Sequence, residues 1–462
     1  KGPVHCTKTT LELCTILLPD SAHIQESDAE FANRKGLRAG KSVVEPLYTV
    51  DDAYKALQHF RTHEFGEMLE VLPGVQVKFK VAGHILGSAI VEVFVNENGK
   101  TTKLVFTGDI GQPNQPIIED PEEISGADFI ITESTYGNRV HKAYDKEAEL
   151  SEIINDTVAK GGNVVIPAFA VGRTQEMLYF IRQIKEQGLV HGHDGFTVYV
   201  DSPLANEATT IFSENAYTCY DEEAMDLLNK GINPLSFQGL KTSVTTDDSR
   251  AINFDENCKV IISASGMCDA GRIKHHLKHN LWNPRNTILF VGYQAIGTPG
   301  RALLEGAVEL KLFGETVQVA AEICKMPGIS GHADVNGLIE WAKAFETRPK
   351  HVFVTHGDDT VTEIFAQRLK EELGYDATAP FSGTEYDLLE NRCIHEAVGV
   401  RIVKATASPK TTKAARAYEK LLAMGRRLMS VIRKNEGCPN KDLDRFARDI
   451  QSLCDKWDRT DI

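Results

Sequence analysis

Val75-Gln-Val-Lys-Phe-Lys-Val81 leading into Ala-Gly-His84-Ile-Leu-Gly-Ser88, Leu104-Val-Phe-Thr107 into Gly108-Asp109-Ile-Gly111, and Phe129-Ile-Ile-Thr132 into Glu133-Ser-Thr-Tyr-Gly-Asn138 share one design. Each is a short strand-like run that ends in a polar residue at or beside a turn. A side chain just past a buried strand sits at a sheet edge, on a loop held by a rigid scaffold. One histidine and two carboxylates presented in this way suggest a metal site built on strand ends. Singly, each has a bland alternative, since Gly-Asp-Ile-Gly is also simply a turn.

The remaining sequence sets the bounds. A chain of 462 residues suggests two to four domains with ample core, and 42% hydrophobic with 25% charged residues is ordinary for a globular protein. No apolar run approaches the roughly 20 residues that span a bilayer, and no signal peptide is visible, so no membrane partner is expected. Nine scattered cysteines without a Cys-x-x-Cys pair argue against a disulfide framework and favour a reducing, cytoplasmic setting. The net charge of −14 is uneven: residues 404–434 carry nine Lys/Arg against Glu419 alone. The acidic body is unpromising for nonspecific nucleic-acid binding, so any polyanion contact must be local or helped by bound cations.

In chain order, residues 1–70 read as mainly helical, with helices over Thr9–Leu18 and Asp51–Phe60 and a polar one over Glu26–Arg38. From 146 the pattern becomes alternating helices and strands, with strands Val164–Pro167, Phe196–Val200, Lys259–Ser263 and Asn286–Tyr293. Such alternation implies a parallel sheet, which binds ligands at the carboxyl ends of its strands. After Gly297-Thr-Pro-Gly300 an antiparallel pair is expected over Val308–Phe313 and Val317–Ile323, then a helix over Val335–Phe345 and a strand His351–Thr355. The economical division is one α/β domain, 1–145 and 307–403, interrupted by an inserted α/β domain, 146–306. Residues 404–462 form two helices hinged at Gly437-Cys-Pro-Asn440, a solvated hairpin or a homodimer element ahead of an RNA-binding one.

His84, Asp109, Glu133, His332 and His356 are the candidate constellation, of residue types that suit zinc or a similar divalent ion. His5, His59, His63, His191, His193, His351 and His395 are assigned to surface or core hydrogen bonding. His275, His276 and His279 fit either a polar helix face or a cleft wall. Ser265-Gly266-Met267 fits a backbone anion cradle or a tight turn equally. No zinc-protease helix motif, P-loop or dinucleotide fingerprint is present.

Taken together and in order, Ala-Gly-His84-Ile-Leu-Gly-Ser, Phe-Thr-Gly-Asp109-Ile-Gly, Glu133-Ser-Thr-Tyr-Gly-Asn-Arg, Ile-Ser-Gly-His332-Ala-Asp and Val-Thr-His356-Gly-Asp resemble the metallo-β-lactamase superfamily, β-CASP branch. Pro167-Ala-Phe-Ala-Val-Gly-Arg173-Thr-Gln-Glu, Asp201-Ser-Pro-Leu-Ala and Ser263-Ala-Ser-Gly-Met resemble its inserted β-CASP domain. The likeness covers about residues 1–400 and points to the prokaryotic RNA-processing members. It implies an αββα sandwich with a two-zinc site and a β-CASP domain walling a single-stranded RNA cleft. His84 and His356 would each bind one zinc, and Asp109 would bridge the two. Glu133 would orient its neighbours, and His332 would contact the scissile phosphate and protonate the leaving oxygen. Arg173, Ser265 and Gly266 would hold phosphates.

The chain departs from that pattern in one respect. The superfamily's His-x-His-x-Asp-His run, which supplies four ligands, is absent, and a chain opening at Lys1 fits truncation. With only three direct ligands, this polypeptide is expected to bind metal poorly and to be inactive as written. The leading expectation is thus a zinc-dependent ribonuclease seen in part. A non-catalytic RNA-binding homologue or scaffold is the alternative, and a small-ester hydrolase is disfavoured by the inserted block.

Overall fold

The computed structural model describes residues 2–37, 42–142, 145–193, 195–326, 328–400 and 440–457, with single positions 424, 428, 431, 432 and 435. Residues Lys1–Ala397 form one compact unit and Val398–Ile462 a second.

The chain opens with β1 (Val4–Thr7), α1 (Lys8–Leu37), α2 (Val50–Leu57) and β2 (Phe60–His63). α1 runs without interruption through Pro19, so the two helices read from the sequence there are one. α2 begins at a capping box, with Thr49 and Asp52 each accepting from the other's backbone N–H. β1 pairs in parallel with β2, a pairing hidden from a mainly helical reading of 1–70.

Next come β3 (Met68–Leu72), β4 (Val75–Val81), β5 (Ala89–Glu97), β6 (Lys100–Phe106) and β7 (Phe129–Thr132). β3 to β6 form an antiparallel meander, and β7 joins β6 in parallel.

The inserted block holds α3 (Lys146–Ala159), β8 (Val164–Pro167), α4 (Arg173–Glu186), β9 (Thr197–Val200), α5 (Pro203–Glu214), α6 (Ala216–Cys219) and α7 (Glu222–Asn229). It continues through β10 (Leu240–Thr242), α8 (Thr246–Ile252), β11 (Lys259–Ser263), α9 (Ile273–Asn280), β12 (Thr287–Phe290) and α10 (Pro299–Leu304). A hairpin, β13 (Glu309–Leu312) and β14 (Glu315–Gln318), leads to β15 (Glu322–Lys325). The sheet runs β10-β9-β11-β8-β12-β15, parallel throughout. The four inner strands are those read from the sequence. The two edges were not: Leu-Lys-Thr and Glu-Ile-Cys-Lys lack the apolar run of a strand buried on both faces. β15 also extends this sheet beyond residue 306.

α11 (Val335–Lys343), β16 (His351–Val354), α12 (Asp359–Leu373) and β17 (Ala377–Thr378) complete a seven-stranded sheet, β17-β16-β7-β6-β5-β4-β3. Its central strands bury Ile90, Val105, Ile130, Val352 and Val354 against Leu338, Ile339 and Trp341 of α11 and Phe365 and Leu369 of α12. The inserted sheet is covered on both faces, by α3, α4 and α5 around Val164 and Val198 and by α8, α9 and α10 around Ile261 and Ile288. The architecture is a mixed α/β fold with an α/β insert. Where the resemblance implies a two-sheet sandwich, the described residues hold the seven-stranded sheet and the β1–β2 pair. A hairpin, β18 (Glu385–Asp387) and β19 (Arg392–His395), ends the first unit.

In the second unit, α13 (Asn440–Trp457) has no buried residue. The rest of the basic helix expected over 404–434, apart from single positions, and the hinge at 437–440 up to Asn440 lie outside the described residues. No described helix is long and apolar enough to cross a membrane, and every described cysteine is a free thiol.

Candidate metal centre and cleft

The loops after β4, β6, β7 and β16 and the loop before α11 meet at the carboxyl end of the seven-stranded sheet. The Asp109 loop is the hub. Gly111 N–H donates to the Ala82 carbonyl at 2.8 Å, which ties it to the His84 loop. On its other side Gln112 N–H donates to Gly331 and Ala333 N–H to Ile110, making a short antiparallel bridge between Gly111 and His332. A β-carbon at Gly111 would fall 1.9 Å from the Gly83 carbonyl oxygen, so the second glycine of Gly-Asp-Ile-Gly is imposed by backbone approach.

This bracing brings together one ligand atom each from His84, Asp109 and His332, all within 4.8 Å of one another. His84 Nε2 lies 3.7 Å from Asp109 Oδ2, and His356 Nε2 lies 3.3 Å from Asp109 Oδ1. Two ligands of one tetrahedral zinc, each about 2.0–2.1 Å from it, stand about 3.4 Å apart. Asp109 thus turns one oxygen to each of two histidines. His84 Nδ1 is buried with no hydrogen-bond partner among the described residues. Burial first, and then the neighbouring His332, lower the His84 pKa and favour the neutral imidazole that a cation requires. The donor set fits a divalent cation. His356 is the most open member, 63% exposed at its side chain, and holds a left-handed φ of +47°.

Glu133 is buried beneath this group. Its carboxylate accepts from Ile110 N–H at 2.5 Å, from Thr135 N–H at 3.3 Å and from His332 Nδ1 at 3.0 Å. A carboxylate only accepts here, so Nδ1 of His332 carries the proton and Nε2 is left for the site. Burial alone would raise Glu133 and lower His332. The hydrogen bond and charge between them overcome this, lowering Glu133 and raising His332.

A cleft of about 720 Å³ opens beside these histidines, lined by His84 and His332 on one side and by Arg173, Ser265 and Arg272 of the insert on the other. Arg173 pairs with Glu176, one turn along α4. The Ser265 hydroxyl donates to Asp269 at 2.6 Å and accepts from Ala270 N–H, which closes the turn before α9. Gly266 packs on the Phe169 backbone, where a β-carbon would stand 3.1 Å from its nitrogen. α9 begins only at Ile273, so the Ser265-Gly266 turn is not itself the helix N-terminus.

Two groups escaped the sequence reading. His141 places Nε2 3.2 Å from the His332 carbonyl, and its N–H donates to Asp334, which also caps α11. Asp201, wholly buried, accepts from His276 Nε2 at 2.6 Å, Arg272 Nη1 at 2.7 Å, Ser249 at 2.6 Å and Ser243. The strand-end Asp201 and the Lys-His-His-Leu-Lys-His run were both visible, but nothing local pairs them. His351, assigned to core hydrogen bonding, does bond Asp376 and Thr378.

Residues 174–303 match the Beta-Casp domain, and 316–380 match the Zn-dependent metallo-hydrolase RNA specificity domain. A ribonuclease of Thermus thermophilus is 34% identical over 362 residues, covering 78% of this chain and 76% of the relative. The transcription termination factors FttA of Methanosarcina mazei and Methanocaldococcus jannaschii are each 30% identical, over 390 and 394 residues. Those matches cover 82% and 81% of this chain but only 58% and 59% of the factors' own lengths. The chain belongs to the β-CASP branch of the metallo-β-lactamase-fold RNA-processing nucleases.

Proposed function

We propose that this chain carries the catalytic framework of a zinc-dependent ribonuclease that hydrolyses phosphodiester bonds of single-stranded RNA. One observation carries the reading: His84, Asp109, His332 and His356 converge over the buried Glu133 at the mouth of a cleft walled by the insert.

His84, Asp109 and His356 are the residues that would hold metal, Asp109 turning one oxygen to each histidine. Zinc there supplies Lewis-acid polarisation of the phosphoryl group and stabilises the charge that develops during displacement. His332 is the proton donor: Glu133 fixes Nδ1–H and favours the charged ring, so Nε2 delivers a proton to the departing oxygen. Arg173 and the Ser265-Gly266 turn form the facing wall against which the strand lies. α13 is assigned to self-association, since no residue of its apolar stripe, Leu443, Phe446, Ile450, Leu453 and Trp457, is fully buried.

With no His-x-His-x-Asp-His run in its 462 residues, the chain alone is proposed to bind zinc weakly. The test compares zinc content and cleavage of end-labelled single-stranded RNA for the chain alone and preceded by a segment carrying that run. Gain of both supports the reading, and metal uptake without cleavage sinks it. A non-catalytic RNA-binding role is the second reading, favoured by the three-membered metal group among the described residues. RNA binding without cleavage in the same assay would establish it.

A further inference from the structure

Asp201 follows β9 directly and is wholly buried, yet four side chains from three other segments donate to it. Ser243 comes from the end of β10, Ser249 from α8, His276 from α9, and Arg272 from the residue capping α9. Burial would push this carboxyl up. The hydrogen bonds from His276, Ser243, Ser249 and Arg272 outweigh that and hold it far below the usual carboxylate range. Arg272 is the one member of the set that reaches the cleft, its side chain 21% exposed and lining the same wall as Ser265.

A guanidinium has five N–H donors in a rigid plane. Nη1 of Arg272 donates to Asp201 Oδ1 at 2.7 Å and to Ser243 Oγ at 3.0 Å. Nη2 gives one, to the Val244 carbonyl at 2.8 Å. The Nε–H and the second Nη2–H have no partner among the described residues. Nε and Nη2 stand side by side on one edge of the plane, the edge through which a guanidinium grips a phosphate with two parallel bonds. The buried acid fixes the guanidinium from behind, so little side-chain freedom remains to be lost when the open edge binds. Two aromatic rings line the same cleft with much of their surface open, Phe169 at 44% and Tyr293 at 57% exposure. Exposed rings beside a phosphate-binding fork match the chemistry of an unpaired strand, whose bases stack while its backbone is held.

We propose that Arg272, fixed by the buried Asp201, is a substrate-binding residue that takes one backbone phosphate of single-stranded RNA through its free Nε–Nη2 edge. This rests on the reading of the cleft as an RNA site. Asp201 is then a positioning residue, and His276, Ser243 and Ser249 hold it in place.

The test uses the full chain in chelator, so that RNA is bound and not cut, with a short fluorescent single-stranded RNA titrated across a range of salt. Arg272→Lys keeps a cation beside Asp201 but lacks the fork. Its dissociation constant is expected to rise about tenfold, the loss of one bidentate charged contact. Arg272→Gln, which removes the cation as well, should in addition lower the log K against log salt slope by about 0.7, one phosphate on a single strand. Unfolding temperature checks that the variant is folded. A second measurement leaves the protein unchanged: methylphosphonate placed at successive positions of the RNA should weaken wild-type binding sharply at one position. At that position Arg272→Lys should lose nothing further. Unchanged affinity in Arg272→Lys, an unchanged slope in Arg272→Gln, or a wild type equally sensitive at every methylphosphonate, overturns the proposal while leaving the RNA site standing. A wild type that fails to bind RNA at all removes the underlying reading instead.

Discussion

Glu133 and His332 are 199 residues apart in the chain and 3.0 Å apart in the fold, the carboxylate fixing Nδ1–H of the imidazole. The contact joins the end of β7 to the loop before α11 across the whole inserted block. It determines which His332 nitrogen faces the site and raises the imidazole pKa.

In the chain preceded by a segment carrying the His-x-His-x-Asp-His run, His332→Ala should lower the turnover of RNA cleavage by about 10²–10⁴-fold, the usual worth of a positioned acid, with zinc content per chain unchanged. Metal analysis beside the cleavage assay decides the role. Loss of zinc with activity would make His332 a ligand, as its place beside His84 and Asp109 also allows.

Gly111→Ala should destabilise the first unit by about 3 kcal/mol, the upper range for forcing atoms into a packed site. The added carbon meets the Gly83 carbonyl, a backbone atom that no rotamer change can move aside. Denaturant unfolding measures it, and a variant as stable as wild type would mean that the two loops part freely.

Asp201 gives stability a pH dependence of known sign. Its carboxyl is held below the roughly 3.9 of an unfolded aspartate, so the contribution is complete above that pH and is lost as pH falls towards the folded value. Asp201→Asn should be less stable at neutral pH and should lose less on acidification from pH ~5 to ~3. Thermal unfolding across that window checks it, and parallel curves for the two proteins would refute it.

Lys259 is buried on β11, its ammonium donating to the Asp255 and Asn257 carbonyls and to Asn163 Oδ1. Lys259→Ala orphans three acceptors at once and should cost about 3 kcal/mol. Chemical denaturation reads the loss. A change below about 0.5 kcal/mol, the range of ordinary surface substitutions, would show that water replaces the ammonium without penalty.

The sequence was most informative where burial and periodicity coincide. Val164–Pro167, Lys259–Ser263 and Thr287–Phe290 are buried throughout, and the alternation of such short apolar runs with helices implied a parallel sheet. Edge strands such as Leu240–Thr242 need only one partner and carry no such pattern. The separate loops bearing His84, Asp109, Glu133, His332 and His356 were legible because each couples a strand end or helix start to glycine. Their mutual distances were not, because a hydrogen bond such as Glu133–His332 leaves no local trace. The Asp201 network was illegible for the same reason: its five members come from four segments, and each alone resembles a cap or a surface residue.

The bridge between Gly111 and His332 has a consequence for synthesis. A polypeptide emerging from its N-terminus presents His84, Asp109 and Glu133 long before the strand of chain that closes over them. Until some two hundred further residues have been made and the insert has folded between, the nascent protein holds three of these groups without His332. Chains released early by stalling or cleavage therefore carry the carboxylates and one imidazole but no assembled centre.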